Sequence, residues 1–300
     1  MKKIISIVVT YNAMQWIDRC LSSLLHSEEK TDVFVYDNCS TDGTEEYIQA
    51  HFPEAILKKG DKNLGFARSN NLGIRYALDN GYDYVFLLNQ DAWIEENTLS
   101  ELVRTFEDNE NVGISSPVHL TGDGRSLDFY FALKAPLSYV QDLYSGNVQK
   151  YYSVSESGAA AWMLSGKCIE TVGGFDTDLF VHYGEDDNYC QRVLYHGFRI
   201  IFNTGCNMFH DRQNRGDDSE YQGRQIWNKQ NVLLHEKCQW ANIQNQIHIN
   251  SIMVASIFRI IFNLLRLDFT NVDTQRERLR VLRVVKKSRQ ISKTRGAHWL

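Results

Sequence analysis

Three short stretches hold the groups best able to do chemistry: LLNQD at 87–91, YGEDDNYCQR at 183–192 and NMFHDR at 207–212. In the first, an apolar run stops at two amides and a carboxylate, Asn89, Gln90 and Asp91. A carboxylate placed there can hold a hard divalent cation against an anionic ligand. It can equally be an ordinary turn or helix-capping residue. In the second, Glu185, Asp186 and Asp187 open a helix. A helix N-terminus favours acidic side chains. Three adjacent carboxylates exceed what a cap needs, and their mutual repulsion suits a general base. In the third, His210 is a lone imidazole, a type that is more often structural than ligating. Beside a carboxylate-held cation it becomes a second protein ligand, because imidazole also suits Mn2+. Asp37, Asp42, Asp91, Glu185 and Asp186 together make an acidic crevice. Such a crevice repels a bare diphosphate unless a cation sits between them.

Two nucleotide signatures are missing. No G-x-G-x-x-G stands at the first strand–helix turn, and no G-x-x-x-x-G-K-[ST] occurs anywhere. A dinucleotide oxidoreductase and a P-loop nucleotidase are therefore disfavoured. None of the six cysteines forms a C-x-x-C pair, so neither a zinc site nor a redox motif is suggested.

The elements that must position these groups follow from hydrophobic period. Ile4–Thr10, Asp32–Asp37, Ala55–Lys58, Tyr84–Leu88 and Val112–Ser116 read as strands. Helical patterns over 13–25, 45–51, 65–78 and 99–106 alternate with them. That alternation predicts a doubly wound, mainly parallel sheet flanked by helices. In such sheets ligands bind beyond the carboxyl ends of the strands. Thr10-Tyr11-Asn12, Asp37-Asn38 and Asn89-Gln90-Asp91 should then line one crevice. Residues 120–157 are rich in Gly, Ser, Asp and Tyr with weak periodicity and read as a variable, partly mobile insertion. Order returns with a strand at 158–164, a helix at 187–195 and a strand at 200–203, and 219–265 reads as mostly helical.

SIVVTYN, VYDNCSTDGT, NLGFARSNNLGI, LLNQD, GGFD and YGEDDNYCQR stand in the order and spacing found in family 2 glycosyltransferases. Over residues 4–210 the chain resembles that family, and most of all its bacterial branch of rhamnosyltransferases that build surface polysaccharides. The resemblance implies a GT-A fold with a Rossmann-like, mainly parallel sheet. It implies a catalytic domain over 1–215, with a nucleotide-binding half at 1–117 and an acceptor-binding half at 118–215. Residues 216–300 follow as a helical extension. The activity implied is an inverting, metal-dependent transfer of a sugar from a nucleoside diphosphate, dTDP-rhamnose or a UDP-sugar, to a glycan or lipid-linked acceptor. Thr10, Tyr11 and Asn12 would edge the nucleotide pocket, Asp37 would hydrogen-bond the pyrimidine, and Asn38 would lie beside it. Asn63 and Arg68 would lie near the base and diphosphate. Asn89, Gln90 and Asp91 match the family's D-x-D element, with Asp91 and His210 holding Mg2+ or Mn2+. Asp186 matches the base, with Glu185 its partner. Trp162 and Asp187 fall on the acceptor side, although Trp162 could equally be core. Two positions depart from the family pattern: Asn89 replaces the first Asp of D-x-D, and Asn188 replaces the last acid of E-D-x-D. Both leave open a catalytically inactive, sugar-nucleotide- or glycan-binding module of the same fold.

Charge is uneven along the chain. From Arg259 onward there are 11 Lys/Arg against 3 Asp/Glu, a balance of +8, whereas the first 258 residues carry −13. Ile252–Leu265 is 14 residues interrupted by Arg259, too short and too charged to span a bilayer. The basic amphipathic stretch over 252–295, with Leu279, Val281, Leu282, Val284 and Val285 among its cations, is expected to lie on an anionic membrane surface. It could instead pack on the protein's own body or on a second subunit, making a homodimer. Nucleic acid is not an expected partner, because no aromatics interleave the cations. The N-terminal MKKIISIVVTYN reads as a strand and not a leader peptide, so the expected location is the cytoplasm, against the inner face of the cell membrane.

Overall fold

A computed structural model describes residues 2–180, 183–214 and 229–300. The first half alternates as the hydrophobic pattern requires: β1 Ile4–Thr10, α1 Ile17–Leu25, β2 Asp32–Asp37, α2 Thr44–His51, β3 Ile56–Lys59, α3 Phe66–Asp79 and β4 Tyr84–Asn89. A short β5 Ala92–Ile94, α4 Thr98–Asp108 and β6 Val112–Thr121 follow. Then come α5 Phe129–Lys134, α6 Leu137–Ser145, β7 Tyr151–Val154, β8 Ala161–Ser165, α7 Gly166–Val172, α8 Glu185–Tyr195 and β9 Arg199–His210. Three helices end the chain: α9 Lys229–Ala241, α10 Ile249–Leu265 and α11 Phe269–Ser292. The expected helical stretch at 219–265 falls partly outside the described residues.

One sheet runs in the order β3-β2-β1-β4-β8-β6-β9-β5, with β7 beside β9. It is parallel from β3 to β4, and β8 then inserts antiparallel between β4 and β6. Alternate residues of β4 feed two cores. Phe86 and Leu88 join Leu21, Leu24, Ile48 and Leu102 on one face, and Val85 and Leu87 join Ile74, Ile169, Tyr189 and Val193 on the other. Burial on both faces is why β4 reads as an unbroken apolar run. Strand β6 crosses the expected 117/118 boundary, so the two halves are parts of one continuous sheet.

The 120–157 region is not the loose insertion expected. It forms α5, α6 and β7 around a cluster of Val118, Phe131, Tyr139, Tyr152 and Phe202. Each such side chain stabilises by roughly 1.5–3 kcal/mol when buried. Phe202 comes from a distant strand, so local periodicity could not reveal the cluster. Pairing of β6 with β9 shifts from Pro117↔Asn203 to Val118↔Asn207, so Thr204, Gly205 and Cys206 bulge out. The second half of β9 then pairs with β5 and brings His210 opposite Ala92.

The C-terminal helices pack on this body. Cys238, Trp240, Ile249, Leu282 and Val285 share a core with Leu179 and Phe180. The tail then returns to the sheet's helical layer: the Gly174 amide donates to the His298 carbonyl at 2.8 Å, and Asn71 Nδ2 donates to the Trp299 carbonyl at 3.0 Å.

Candidate active site

Parallel register aligns the carboxyl ends of three strands, with Thr10 opposite Asp37 and Val9 opposite Asn89. Many of the expected donor residues latch the loops there. Thr10 Oγ1 donates to Asp37 Oδ1 at 2.7 Å, and Ser40 donates to the same carboxylate through its amide at 2.9 Å and its hydroxyl at 2.5 Å. Asp37 is thereby fully buried. Asn12 adopts a left-handed φ of 51°, and its Oδ1 accepts the Thr41 amide at 2.9 Å. Asn38 Oδ1 accepts the Leu64 amide at 3.0 Å and Ser69 Oγ at 2.8 Å, which fixes the entry to α3. Gln90 clasps the exposed Tyr11 through both of its backbone groups: Oε1 accepts the amide at 2.7 Å and Nε2 donates to the carbonyl at 3.2 Å. Asn63 and Arg68 are exposed and, with Lys62, Leu64, Ala67 and Phe180, line a cleft of about 390 Å³.

Asp91 and His210 meet at the foot of β5. The Asp211 amide donates to the Asp91 carbonyl at 2.9 Å, and His210 Nε2 lies 3.3 Å from Asp91 Oδ1, with both side chains buried. Two adjacent ligands of an octahedral cation at about 2.1 Å each sit roughly 3 Å apart, so this spacing fits a shared divalent ion. Asn89 Nδ2 lies 3.5 Å from His210 Nε2. Behind the imidazole, Asp128 Oδ2 is 3.7 Å from His210 Nδ1 and accepts Arg212 Nε at 2.9 Å. Burial alone would raise the Asp128 carboxyl, but Arg212, His210 and His119 hold it below the usual range. A carboxylate behind a ligating histidine fixes its tautomer and orientation. Among the described residues no group of three or more His, Cys, Asp or Glu side chains is set to hold a metal by itself.

The carboxylate cluster begins at Gly184, whose φ of 88° makes the sharp entry to α8. Glu185 is 9% exposed, and burial, then the charges of Asp186 and Asp187, push its carboxyl up to about 7. Glu185 Oε2 finds no hydrogen-bond partner among the described residues. Asp186 is half-buried, and its carboxyl is also raised, by burial first and by Asp187, with Lys134 working against them. Lys134, at the end of α5, pairs with Asp187 and lies 3.8 Å from Glu156. Burial disfavours its charge, yet Asp186, Asp187 and Glu156 more than offset that and raise its pKa.

The segment 158–160 links the two clusters. The Asn89 amide donates to the Ala160 carbonyl at 2.9 Å. A Cβ on Gly158 would lie 3.9 Å from Asp186 Oδ2. Only one residue, Ala159, separates these anchor points, a backbone span of at most about 7 Å. The small residues at 158–160 thus run from the Asn89–Asp91 turn to the side of Asp186.

One acceptor-side expectation changes. Trp162 is fully buried, stacked on Phe175 at 6.2 Å, and its Nε1 donates to Ser157 Oγ at 3.2 Å, so it offers no ring face to a sugar. Its place in β8 points it into the core beneath α7 and α8. Asp187 is engaged by Lys134. Asn188 is buried and turned away, its Oδ1 accepting Arg192 Nε at 3.0 Å. The pattern missed Asp128, Lys134 and the exposed rings of Phe129 and Tyr130. Asp128 was legible only as a helix cap, its Oδ1 accepting the Tyr130 amide at 3.0 Å.

A doubly wound sheet with acidic and amide side chains beyond β1, β2 and β4, extended by the β8–β6–β9 layer, is the GT-A fold of glycosyltransferases. The chain belongs to glycosyl transferase family 2, whose model matches residues 6–155. It is 27% identical over 209 residues to the dTDP-rhamnosyl transferase RfbF of Shigella flexneri, covering 69% of this chain and 68% of that one. The low-salt glycan biosynthesis hexosyltransferase Agl10 of Haloferax volcanii is 26% identical over 191 residues, covering 62% of this chain and 60% of the relative's length. Among solved structures, the mannosyltransferase PcManGT of Pyrobaculum calidifontis, in complex with GDP-Man and Mn2+, aligns with a TM-score of 0.57. Its identity is 15%, over 97% of this chain and 86% of that one.

Proposed function

We propose that the protein is an inverting sugar transferase that takes a nucleoside diphosphate sugar, dTDP-rhamnose or a UDP-sugar, and glycosylates a glycan or lipid-linked acceptor in bacterial surface polysaccharide synthesis. The observation that carries this reading is the half-buried Asp186 carboxylate, with its raised pKa, set beside Gly158, two positions from the Ala160 carbonyl that the Asn89 amide binds. The relationship to a dTDP-rhamnosyl transferase supports a thymidine diphosphate donor, and an aspartate at the base edge would suit uridine as well.

Asp91 and His210 would hold a divalent cation, with Asp128 orienting the imidazole. Bound there, the ion offsets the negative charge that grows on the departing diphosphate. Exposed Arg68 at the donor cleft adds positive charge for the same oxygens. Asp186 accepts the proton of the acceptor hydroxyl as that oxygen attacks the anomeric carbon from the face opposite the leaving group. A base raised above the ordinary aspartate range is better matched to that task near neutral pH. With one base and no carboxylate nucleophile invoked, the product is inverted. Phe129 and Tyr130, exposed beside Asp128, take the place of Trp162 as rings on which an acceptor sugar can stack.

The test is a thermal-shift screen of nucleotide sugars with Mn2+ or Mg2+, followed by transfer and donor-hydrolysis assays on the wild type and Asp186→Asn. Wild-type turnover that disappears in Asp186→Asn, while donor-induced stabilisation persists, is the expected result. Selective donor binding with no turnover in the wild type would instead establish an inactive binding module, the reading that Asn89 and Asn188 favour.

A further inference from the structure

The membrane contact expected from sequence was assigned to the whole basic stretch, including the apolar residues of α11. Those residues face inward: Leu282 and Val285 are fully buried, and Val281 and Val284 pack on the same core. Helix α10 behaves differently. At about 100° per residue, its Ile249, Ile252, Met253 and Ser256 share the side turned to α11 and are buried or partly buried. The opposite side carries Val254, Ile257, Phe258, Ile261, Phe262 and Leu265, each between 47% and 81% exposed. Leu267 and Phe269, 74% and 61% exposed, prolong the stripe through the turn into α11. A helix apolar on both sides, with only one side covered, is unstable against bare water and calls for a second apolar phase.

Cations bracket that stripe. Arg259 and Arg266 are exposed along one flank, the second with its guanidinium 5.0 Å from the Phe262 ring. On the other flank Lys286 Nζ donates to Asn250 Oδ1 at 3.1 Å, which brings a cation of α11 alongside α10. Helix α10 has 17 residues with Arg259 in the middle, and no helix among the described residues is long and apolar enough to cross a membrane. Apolar side chains in the plane of one helix face, edged by Lys and Arg, match the interface of an anionic bilayer. A second copy of the chain would set the same cations against each other across a two-fold axis.

We infer that α10 lies flat on an anionic membrane surface, with Phe258, Phe262 and Leu265 inserted among the lipids and Arg259, Arg266 and Lys286 at the headgroups. Such docking would hold the crevice close to a lipid-linked acceptor, but it is independent of which sugar is transferred.

The test uses the full chain in co-sedimentation with phosphatidylglycerol-rich and pure phosphatidylcholine vesicles. The wild type is expected to pellet with the anionic vesicles. Phe258→Ser, Phe262→Ser and Leu265→Ser combined should lower the partition coefficient about tenfold or more. Arg259→Glu with Arg266→Glu should abolish the preference for anionic over neutral lipid. Because all five positions are exposed, thermal stability and donor-induced stabilisation should match the wild type, which separates this result from failure of the transferase reading. A wild type that stays in the supernatant with both vesicle types overturns the inference. So does a triple variant that pellets like the wild type. A lipid-free dimer that the triple variant converts to monomer would assign the face to a second copy and overturn it equally.

Discussion

Replacing Glu185 with Gln isolates the cost of a buried carboxylate in the acidic cluster. In the folded protein this carboxyl is raised from its ordinary 4.5 to about 7, through burial first and the neighbouring Asp186 and Asp187 second. Because the folded pKa exceeds the unfolded one, the stabilisation belongs to the protonated form. It is fully present below about pH 4.5 and is lost as pH rises through 7. A shift of roughly 2.5 units corresponds to about 3 kcal/mol at 1.36 kcal/mol per unit. Gln is a neutral isostere with nothing to ionise, so the variant avoids that loss. Its stability relative to wild type should therefore climb by about 3 kcal/mol between pH 4.5 and 8, a change of several degrees in Tm for a chain of this size. Denaturant unfolding of both proteins at a series of pH values measures the difference, and the titrations of groups remote from the acidic cluster cancel. Parallel stability curves across that range would refute the assignment of a costly ionised Glu185, and with it the picture of a crowded, poorly solvated acidic cluster.

Further outcomes follow from the same geometry. Lys134→Met removes the cation that holds Asp186 down, so the acid limb of the kcat/KM profile should move to higher pH while the fold is retained. Asp128→Asn weakens the support behind His210, and the Mn2+ concentration needed for half-maximal activity should rise about 10- to 100-fold, measured by metal titration of turnover. Trp162→Ala should cost roughly 3–5 kcal/mol in unfolding experiments, the penalty of a large core cavity, whereas a selective rise in acceptor KM at unchanged stability would contradict its burial.

What the sequence determined by itself is local and periodic. The apolar runs of β1, β2 and β4, the helices between them and the polar residues closing each strand were legible, because two- and 3.6-residue periods act over a few neighbours. Parallel pairing then places Thr10, Asp37 and Asn89 on one edge. What only the tertiary structure decided depends on contacts between distant segments. Lys134 reaches Asp187 across 53 residues, and Asp128 reaches His210 only because the bulge in β9 turns that strand alongside β5. The order in 120–157 rests on Phe202, and the fate of Trp162 on Phe175 and Tyr189 packing over it. The tail shows the division most clearly: composition announced apolar and basic residues together, but only the packing of α11 decided that its apolar face was spent inward and that of α10 was not. Hydrophobic pattern names the faces that must be covered, and the assembled fold alone determines what covers them.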